Sequence, residues 1–357
     1  MAYAPRVAKR VVLHIGAMKS GTSFIQNVLN ANRGQLVEHG ILFACERWRQ
    51  QVLAVRELID RGGPNQPPIT ADGPWQHLVD VVNDWPETAI VSMEFLAPRK
   101  EPKIAVIREA FAGADLQVVL TARDLARSLP AMWTESTQNQ GVRTWEEFLS
   151  SVRRQHVLAK PGKWFWKHQA IPDIASRWSN AVGRDHFTLI TVPPKGAPPS
   201  VLWDRFASVA GIPAGICDLD VRSNPGIDAA SAMVLRALNE RVAGNPDLPP
   251  QAYDRLVKGV LAKQGLVQGR RDRLPLGLDE RWVLRRSKKQ LAKLRNLDIR
   301  VVGDIADLES KPVPGVHTRD VSAEQQLEAA LDGLAFMVTR QAGRRRNVAS
   351  HGGKPTP

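Results

Sequence analysis

The sequence predicts an α/β fold of three layers: a parallel sheet with helices on both faces, followed by a helical C-terminal extension. Three observations carry this. Apolar runs of strand length recur at 10–16, 88–96, 115–123 and 186–194. Segments of helical spacing separate them, which is the pattern of βαβ units and a parallel sheet. Beyond about Asn224 the strand signal gives way to amphipathic helical spacing.

The first run, "RVVLHIG", is a buried strand ended by Gly16. Phe24, Ile25, Val28 and Leu29 then recur at helical spacing, so a helix opens at about Thr22. Residues 60–74, "DRGGPNQPPITADGP", are broken by Gly and Pro and form a loop. A helix over about 75–84 leads to the second run, "TAIVSMEFL", and the third, "DLQVVLTAR", ends at Arg123. Helices fit 124–138 and 144–154. The fourth run, "HFTLITVPP", is stopped by its prolines, and a helix around Leu202–Val209 follows. Further on, "GIDAASAMVLRALNERVAG", "DERWVLRRSKKQLAKLRN" and "EQQLEAALDGLAFMVTRQ" are helical, and 297–308 is a small strand or a turn. The expected division is an α/β core over 1–225, a helical region over 226–340 packed on it, and a disordered basic tail over 341–357.

The chain has 357 residues and a net charge of +13. The excess is concentrated late: 14 Lys/Arg against 5 Asp/Glu over Asp254–Arg300, and 5 against none over Arg340–Pro357. The rest is close to neutral, so basicity is not a property of the glycine-bearing part. No window offers about 18 uninterrupted apolar residues, so no membrane span is expected. The N-terminal apolar run is short and leads straight into a lysine-bearing loop, unlike a signal peptide. Cys45 and Cys217 lie far apart without metal spacing. A reduced, cytoplasmic setting is the simplest expectation.

The informative stretch is "HIGAMKSGTSFIQ", His14–Gln26. Gly16 and Gly21 have the spacing of a nucleotide-triphosphate loop, G-x-x-x-x-G-K-[ST], but Thr22 follows Gly21 and the lysine stands at Lys19. A glycine turn ahead of a helix N-terminus points N–H groups at a bound anion. Gly16 permits the turn and Gly21 a close backbone approach. Ser20, Thr22 and Ser23 add hydroxyls, and Lys19 a movable cation. A triphosphate enzyme also needs an acidic residue at a strand end to hold Mg²⁺. The second and third runs end instead in "SMEF" and "TARD". The bland alternative is a structural turn with a solvated lysine.

With its lysine before the Gly-Thr pair, the K-S-G-T-S loop after a strand resembles the 5′-phosphosulfate loop of sulfotransferases that use 3′-phosphoadenosine 5′-phosphosulfate (PAPS). "VVLTARDLARSLPAMW" is similar to their 3′-phosphate segment, and "IVSMEFLAP" to the strand that ends in their catalytic base. The resemblance to that family runs over about 11–45 and 88–150, and "HFTLITVPPKGAPPSVLWDRFASVAGI" is similar to a bacterial branch of it. The resemblance implies a P-loop-like fold and a PAPS site in the α/β core. It implies that Lys19, Ser20, Gly21, Thr22 and Ser23 hold the 5′-phosphosulfate, with Gly16 shaping the turn. Arg123 would bind the 3′-phosphate, with Ser128 or Arg127 standing in for the serine that the cytosolic branch often places at the position of Ala131. Glu94 would take the acceptor's proton; a structural ion pair is the alternative for it. Transfer would be in line and without metal.

Several features stay open. "KWFWKH" (163–168) would suit stacking on a sugar ring, or two core aromatics at a helix start. Trp133 fits either an adenine contact or core packing. His14 reads as a satisfied core histidine, and "RSNPG" (222–226) is similar to a segment that can contact the nucleotide in that bacterial branch. The basic helix "RWVLRRSKKQLAKLRN" suits a solvated face or peripheral contact with anionic headgroups. No zinc spacing or recognition motif points to nucleic acid. The expectation is a soluble sulfotransferase acting on a hydroxyl of a small molecule, lipid, carbohydrate or glycolipid. The alternatives are a P-loop kinase or nucleotidase, and a binder of anionic surfaces.

Overall fold

Along Arg10–His14 the side chains alternate between two apolar environments, and this one alternation generates the three layers. In the computed structural model, Val11, Leu13 and Ile15 join one buried cluster and Val12 another. The structure describes residues 8–63, 65–154, 160–221, 226–267 and 274–351. Six strands form one parallel sheet: β1 (Arg10–His14), β2 (Ile41–Phe43), β3 (Thr88–Ser92), β4 (Asp115–Ala122), β5 (Phe187–Thr191) and β6 (Arg300–Val302). Their order is β2-β3-β1-β4-β5-β6. The central strands are buried on both faces, as a doubly covered parallel sheet requires.

On one face the helices Trp48–Asp60, Pro74–Asn83, Ile171–Val182 and Arg281–Arg295 bury Val55, Leu78, Trp178 and Leu291 against Val11, Leu13, Val91 and Leu120. On the other, Thr22–Ala31 and Pro199–Ala210 bury Ile25, Leu29, Trp203 and Phe206 against Val12, Ile90, Val119 and Ile190. Burying one Leu, Ile or Phe side chain contributes about 1.5–3 kcal/mol, so both faces hold the sheet.

By compactness the chain divides into two units, each drawn from three separate stretches. The first unit comprises residues 1–128, 163–223 and 281–310; the second comprises 129–162, 224–280 and 311–357. The stretch 297–308 is both a strand and a turn: β6 pairs with β5, and a short 3₁₀ turn at Ile305–Leu308 follows. The basic helix Arg281–Arg295 turns Val283, Leu291 and Leu294 inward, so it belongs to the sheet's cover and not to a separate helical region. In the second unit Trp133 meets Trp145 edge-on at 5.7 Å, and Trp145 stacks on Phe148 at 5.9 Å. The Tyr253 hydroxyl donates to Asn239, whose amide donates to Thr137 and Gly141 carbonyls. The last helix runs Ala323–His351, so the expected disorder from 341 does not hold as far as His351; residues 352–357 lie outside the described residues. Among the described residues no helix is long and apolar enough to cross a membrane.

One polar joint fastens a helix to the sheet's edge. Arg205 Nη1 donates to the Thr191 carbonyl at 2.7 Å, and lies 2.6 Å from Asp307 Oδ2, which also accepts from Thr191 Oγ1. Both charged side chains are largely shielded, at 19% and 11% exposure. Removing one partner strands the other charge away from water. Arg205→Ala is expected to lower stability by about 3 kcal/mol, read by urea denaturation; a loss under about 1 kcal/mol would show the joint to be a surface pair.

Candidate active site

The order of strands places a reversal of chain direction at β1, whose neighbours are β3 and β4. In open parallel sheets ligands gather outside the carboxyl ends of the strands at such a point. Register makes β1 and β3 end level, His14 opposite Ser92, while β4 passes His14 at Val119 and runs on to Ala122. Gly16, Glu94 and Thr121 therefore stand together just beyond.

The loop from Gly16 to Gly21 is bent by three left-handed residues. Gly16, Lys19 and Gly21 have φ of 85°, 61° and 84°. Such a φ costs a residue with a side chain roughly 1–2 kcal/mol, so Lys19 is held there by its surroundings. Gly16 has a second reason to be glycine. A Cβ there would stand 2.6 Å from Glu94 Cβ and 2.9 Å from Glu94 Cα. The turn thus lies directly on the backbone of the residue expected to act as base. Gly21 meets Leu202 in the same way, its Cβ position being 2.4 Å from Cδ2. Ala17 N donates to the Thr121 carbonyl at 2.6 Å, and Gln169 Nε2 donates to the Met18 carbonyl at 2.7 Å.

The predicted hydroxyls divide. Ser20 and Thr22 are buried and both donate to the Ala17 carbonyl, so they close the turn. Ser23 is exposed. The helix Thr22–Ala31 has Gly21 as its cap and no side-chain cap. The N–H groups of Ser20, Gly21, Thr22 and Ser23 donate to no acceptor among the described residues. Four unspent N–H groups at a helix N-terminus are a setting that suits an anion.

Beneath the loop runs a buried polar string. Gln26 Nε2 donates to the Ser92 carbonyl at 2.9 Å, and lies 3.3 Å from Ser92 Oγ and 3.4 Å from Glu94 Oε2. Ser92 Oγ is 2.8 Å from His14 Nδ1, His14 Nε2 is 3.1 Å from Thr121 Oγ1, and Thr121 Oγ1 is 2.8 Å from Ser20 Oγ. Ser20 has spent its proton on the Ala17 carbonyl, so the Thr121 hydroxyl donates to Ser20. His14 Nε2–H then donates to Thr121, and the Ser92 hydroxyl donates to His14 Nδ1. The string admits one order of protons, which fixes the His14 tautomer. Burial pulls the imidazole down to about 3, consistent with a neutral ring bonded at both nitrogens. His14 is therefore a core histidine that supports the loop.

Glu94 is half-buried and lies two residues past the end of β3, which stops at Ser92 and not at the expected 96. Arg123 follows β4 directly. Its Nη2 donates to the Arg127 carbonyl at 2.9 Å, and its Nε is buried with no partner among the described residues. Burial, with Arg127 adding to it and Asp124 opposing, pulls the Arg123 guanidinium down to about 10. A cation so poorly compensated favours an anion. Both residues named as substitutes for the absent serine carry bonds within the fold. Ser128 is buried and donates to the Asp124 carbonyl at 2.9 Å. Arg127 is bound to the Asp124 carboxylate and donates to the Pro193 carbonyl. Trp133 lies in the core of the second unit. Of "RSNPG", residues 222–225 lie outside the described residues. Among the described residues no group of three or more His, Cys, Asp or Glu is arranged to hold a metal ion.

No protein-family model matches the chain, and no curated protein matches it. Among solved structures it is similar to the crystal structure of a sulfotransferase from Alicyclobacillus acidocaldarius, at 15% identity and a TM-score of 0.42, over 61% of this chain and 88% of that one.

Two outcomes test the site's construction. Gly16→Ala is expected to cost about 2–4 kcal/mol in denaturant, since the backbone of Glu94 must move; a cost under 1 kcal/mol would contradict the close approach. His14 has a folded pKa depressed from 6.5 to about 3, so its contribution is complete above pH 6.5. It is lost as pH falls toward 3, by about 1.4 kcal/mol per unit, because the unfolded chain takes the proton that the folded one refuses. Between pH 5 and 4, His14→Gln should flatten the fall of unfolding free energy by about one proton; an unchanged slope would mean His14 is charged in the fold.

Proposed function

We propose that the chain is a sulfotransferase that moves the sulfuryl group of PAPS to a hydroxyl of a small-molecule, lipid or carbohydrate acceptor. The observation that carries this reading is Lys19, held in a left-handed conformation between two left-handed glycines, in a turn that lies on Glu94. A base and a cation at one strand-end crossing suit a reaction that needs both. The residues fit the donor: orphan loop N–H groups for its 5′-phosphosulfate and the uncompensated Arg123 for its 3′-phosphate.

When bound, PAPS supplies the sulfuryl group and leaves as adenosine 3′,5′-bisphosphate. The loop N–H groups with Ser23 hold the charged end of the donor. Lys19 sets its charge against the oxygen that keeps the electron pair as the S–O bond breaks. Glu94 takes the proton of the attacking hydroxyl, and Gln26, donating to its Oε2, keeps the carboxylate turned to the site. Ser20, Thr22 and His14 shape the loop from below.

The kinase reading has less support. Asp124, the carboxylate beside β4, is buried and bonded by the Arg127 guanidinium and N–H, so it is already engaged within the fold.

Lys19→Gly is expected to abolish transfer from PAPS while unfolding free energy changes by no more than about 1 kcal/mol, because glycine accepts the same φ. Full turnover in this variant would sink the mechanism. By calorimetry, the native chain should bind adenosine 3′,5′-bisphosphate without metal and at least tenfold more tightly than ATP–Mg²⁺, and Arg123→Ala should weaken that binding at least tenfold. The reverse preference would favour a phosphotransferase. Glu94→Gln should lower kcat by 10²–10⁴-fold with little effect on bisphosphate binding.

A further inference from the structure

Five residues beyond Glu94 the chain enters a concentration of positive charge that the donor site does not use. Arg99 is half-buried, and its Nε is buried with no hydrogen-bond partner among the described residues. Arg177, on the helix Ile171–Val182, has an Nε in the same condition and donates through Nη2 to the Ala97 carbonyl at 3.3 Å. His168, on the helix Lys160–Gln169, is buried, and its Nδ1 is a third such nitrogen. Lys100, Lys163 and Lys167 are exposed around these three.

The groups crowd one another. Burial first, then Arg177, pulls the Arg99 guanidinium down; burial, then Arg99, Lys100 and Lys163, does the same to Lys167. Asp60 and Asp173 are the carboxylates that oppose this at Arg99 and Arg177, and Asp173 also lies 3.6 Å from Lys293. A fold gains nothing by gathering uncompensated cations, each of which loses solvation and repels the next. Their location is informative. Gln169, the next residue after His168, is the one that donates to the Met18 carbonyl of the donor loop. The ledge thus begins beside the loop and flanks the segment that carries Glu94. The half-buried Trp164 lies against His168, with ring centres 5.6 Å apart, adding an aromatic face. Phe165 is fully buried, so of the "KWFWKH" aromatics it is plain core.

We propose that Arg99, Arg177 and His168 Nδ1, ringed by Lys100, Lys163 and Lys167, bind an oxyanion carried by the acceptor, a sulfate or phosphate ester on a carbohydrate. This rests on the sulfotransferase reading in calling the ligand an acceptor, but the anion site is testable without it. Arg99 neighbours both Arg177 and His168, and guanidinium edges and an imidazole N–H are donors of the kind that oxyanions accept. An acceptor anchored there reaches toward Glu94 with a second group. The enzyme would then act on a molecule that already bears an anionic ester.

The test uses the full chain carrying Lys19→Ala and Arg123→Ala, which silences the donor site. Calorimetry in low salt with inorganic sulfate, glucose 6-sulfate and glucose as probes should show one site for the two sulfates, and none for glucose. Adding Arg99→Gln and Arg177→Gln should weaken both sulfates at least tenfold. Should those variants fail to fold, Lys100→Glu with Lys167→Glu, both at exposed positions, should weaken them at least fivefold. No sulfate binding, or binding unaffected by these changes, overturns the anion site. Binding of free sulfate with exclusion of glucose 6-sulfate overturns its assignment to an acceptor. Adenosine 3′,5′-bisphosphate titrated into the chain altered only at Arg99 and Arg177 should bind as to the native chain. Its loss in the native chain too would instead count against the donor-site reading.

Discussion

The site depends on one string of hydrogen bonds buried under it: Gln26, Ser92, His14, Thr121, Ser20 and the Ala17 carbonyl. It crosses three strands at the level where they end and ties the first helix and the loop to them. Each member satisfies the next, and the fixed proton order leaves no donor facing a donor. A buried network of this kind is stabilising only when complete. Here completeness has a geometric result. The same bonds that satisfy His14 set the height of the loop above the sheet, and Gln26 extends them to Glu94. Gln51, also fully buried, accepts from Ser92 N and donates to the Ala44 carbonyl, bracing the string from β2's side.

Above that rigid base sits a strained residue. Lys19 could be relieved by glycine, as its two flanking turn residues are, yet it carries a long cation. Strain kept at one position of a well-supported loop is the mark of a side chain needed in a particular direction. The loop divides its labour by depth. Ser20 and Thr22 look down and close the turn, while Ser23 is exposed and the N–H groups from Ser20 to Ser23 stay unspent among the described residues.

Much of this was legible in the sequence because it is local. A strand, a glycine turn and an amphipathic helix announce themselves in "RVVLHIGAMKSGTSFIQ", and the three-layer fold follows from strands spaced by helices. Arg123 is found by its place after an apolar run. What escaped is what only contacts create. β2 has three residues and too little pattern to read. Ser20 and Thr22 looked like ligand donors because a hydroxyl's direction is not written in its neighbours. Ser128 looked available for the same reason. His14 reads as a core histidine from the sequence, but its bonds to Ser92 and Thr121, with Gln26 beyond, emerge only when the register of β1 with β3 and β4 brings them to one level. That 281–310 shares a compact unit with the loop is likewise beyond linear composition, which cannot show a late stretch returning to the sheet. The positive ledge was invisible for a related reason: Arg99, Lys167 and Arg177 come from separate stretches, none notably basic.

The discontinuity of the first unit has a consequence for the order in which the molecule is made. In synthesis the loop Gly16–Gly21 is made early, but the helix Arg281–Arg295 that braces it follows far later. From that helix Gln290 donates to the Gln169 carbonyl at 3.1 Å, and Gln169 in turn holds Met18. The β6 edge comes with it. Contacts between such distant stretches are slow to close, and until they do the fourth parallel strand pair has an open side. The earliest-synthesised part of the site is thus among the last to be completed, and the nascent chain carries its charged loop unfinished for most of its length.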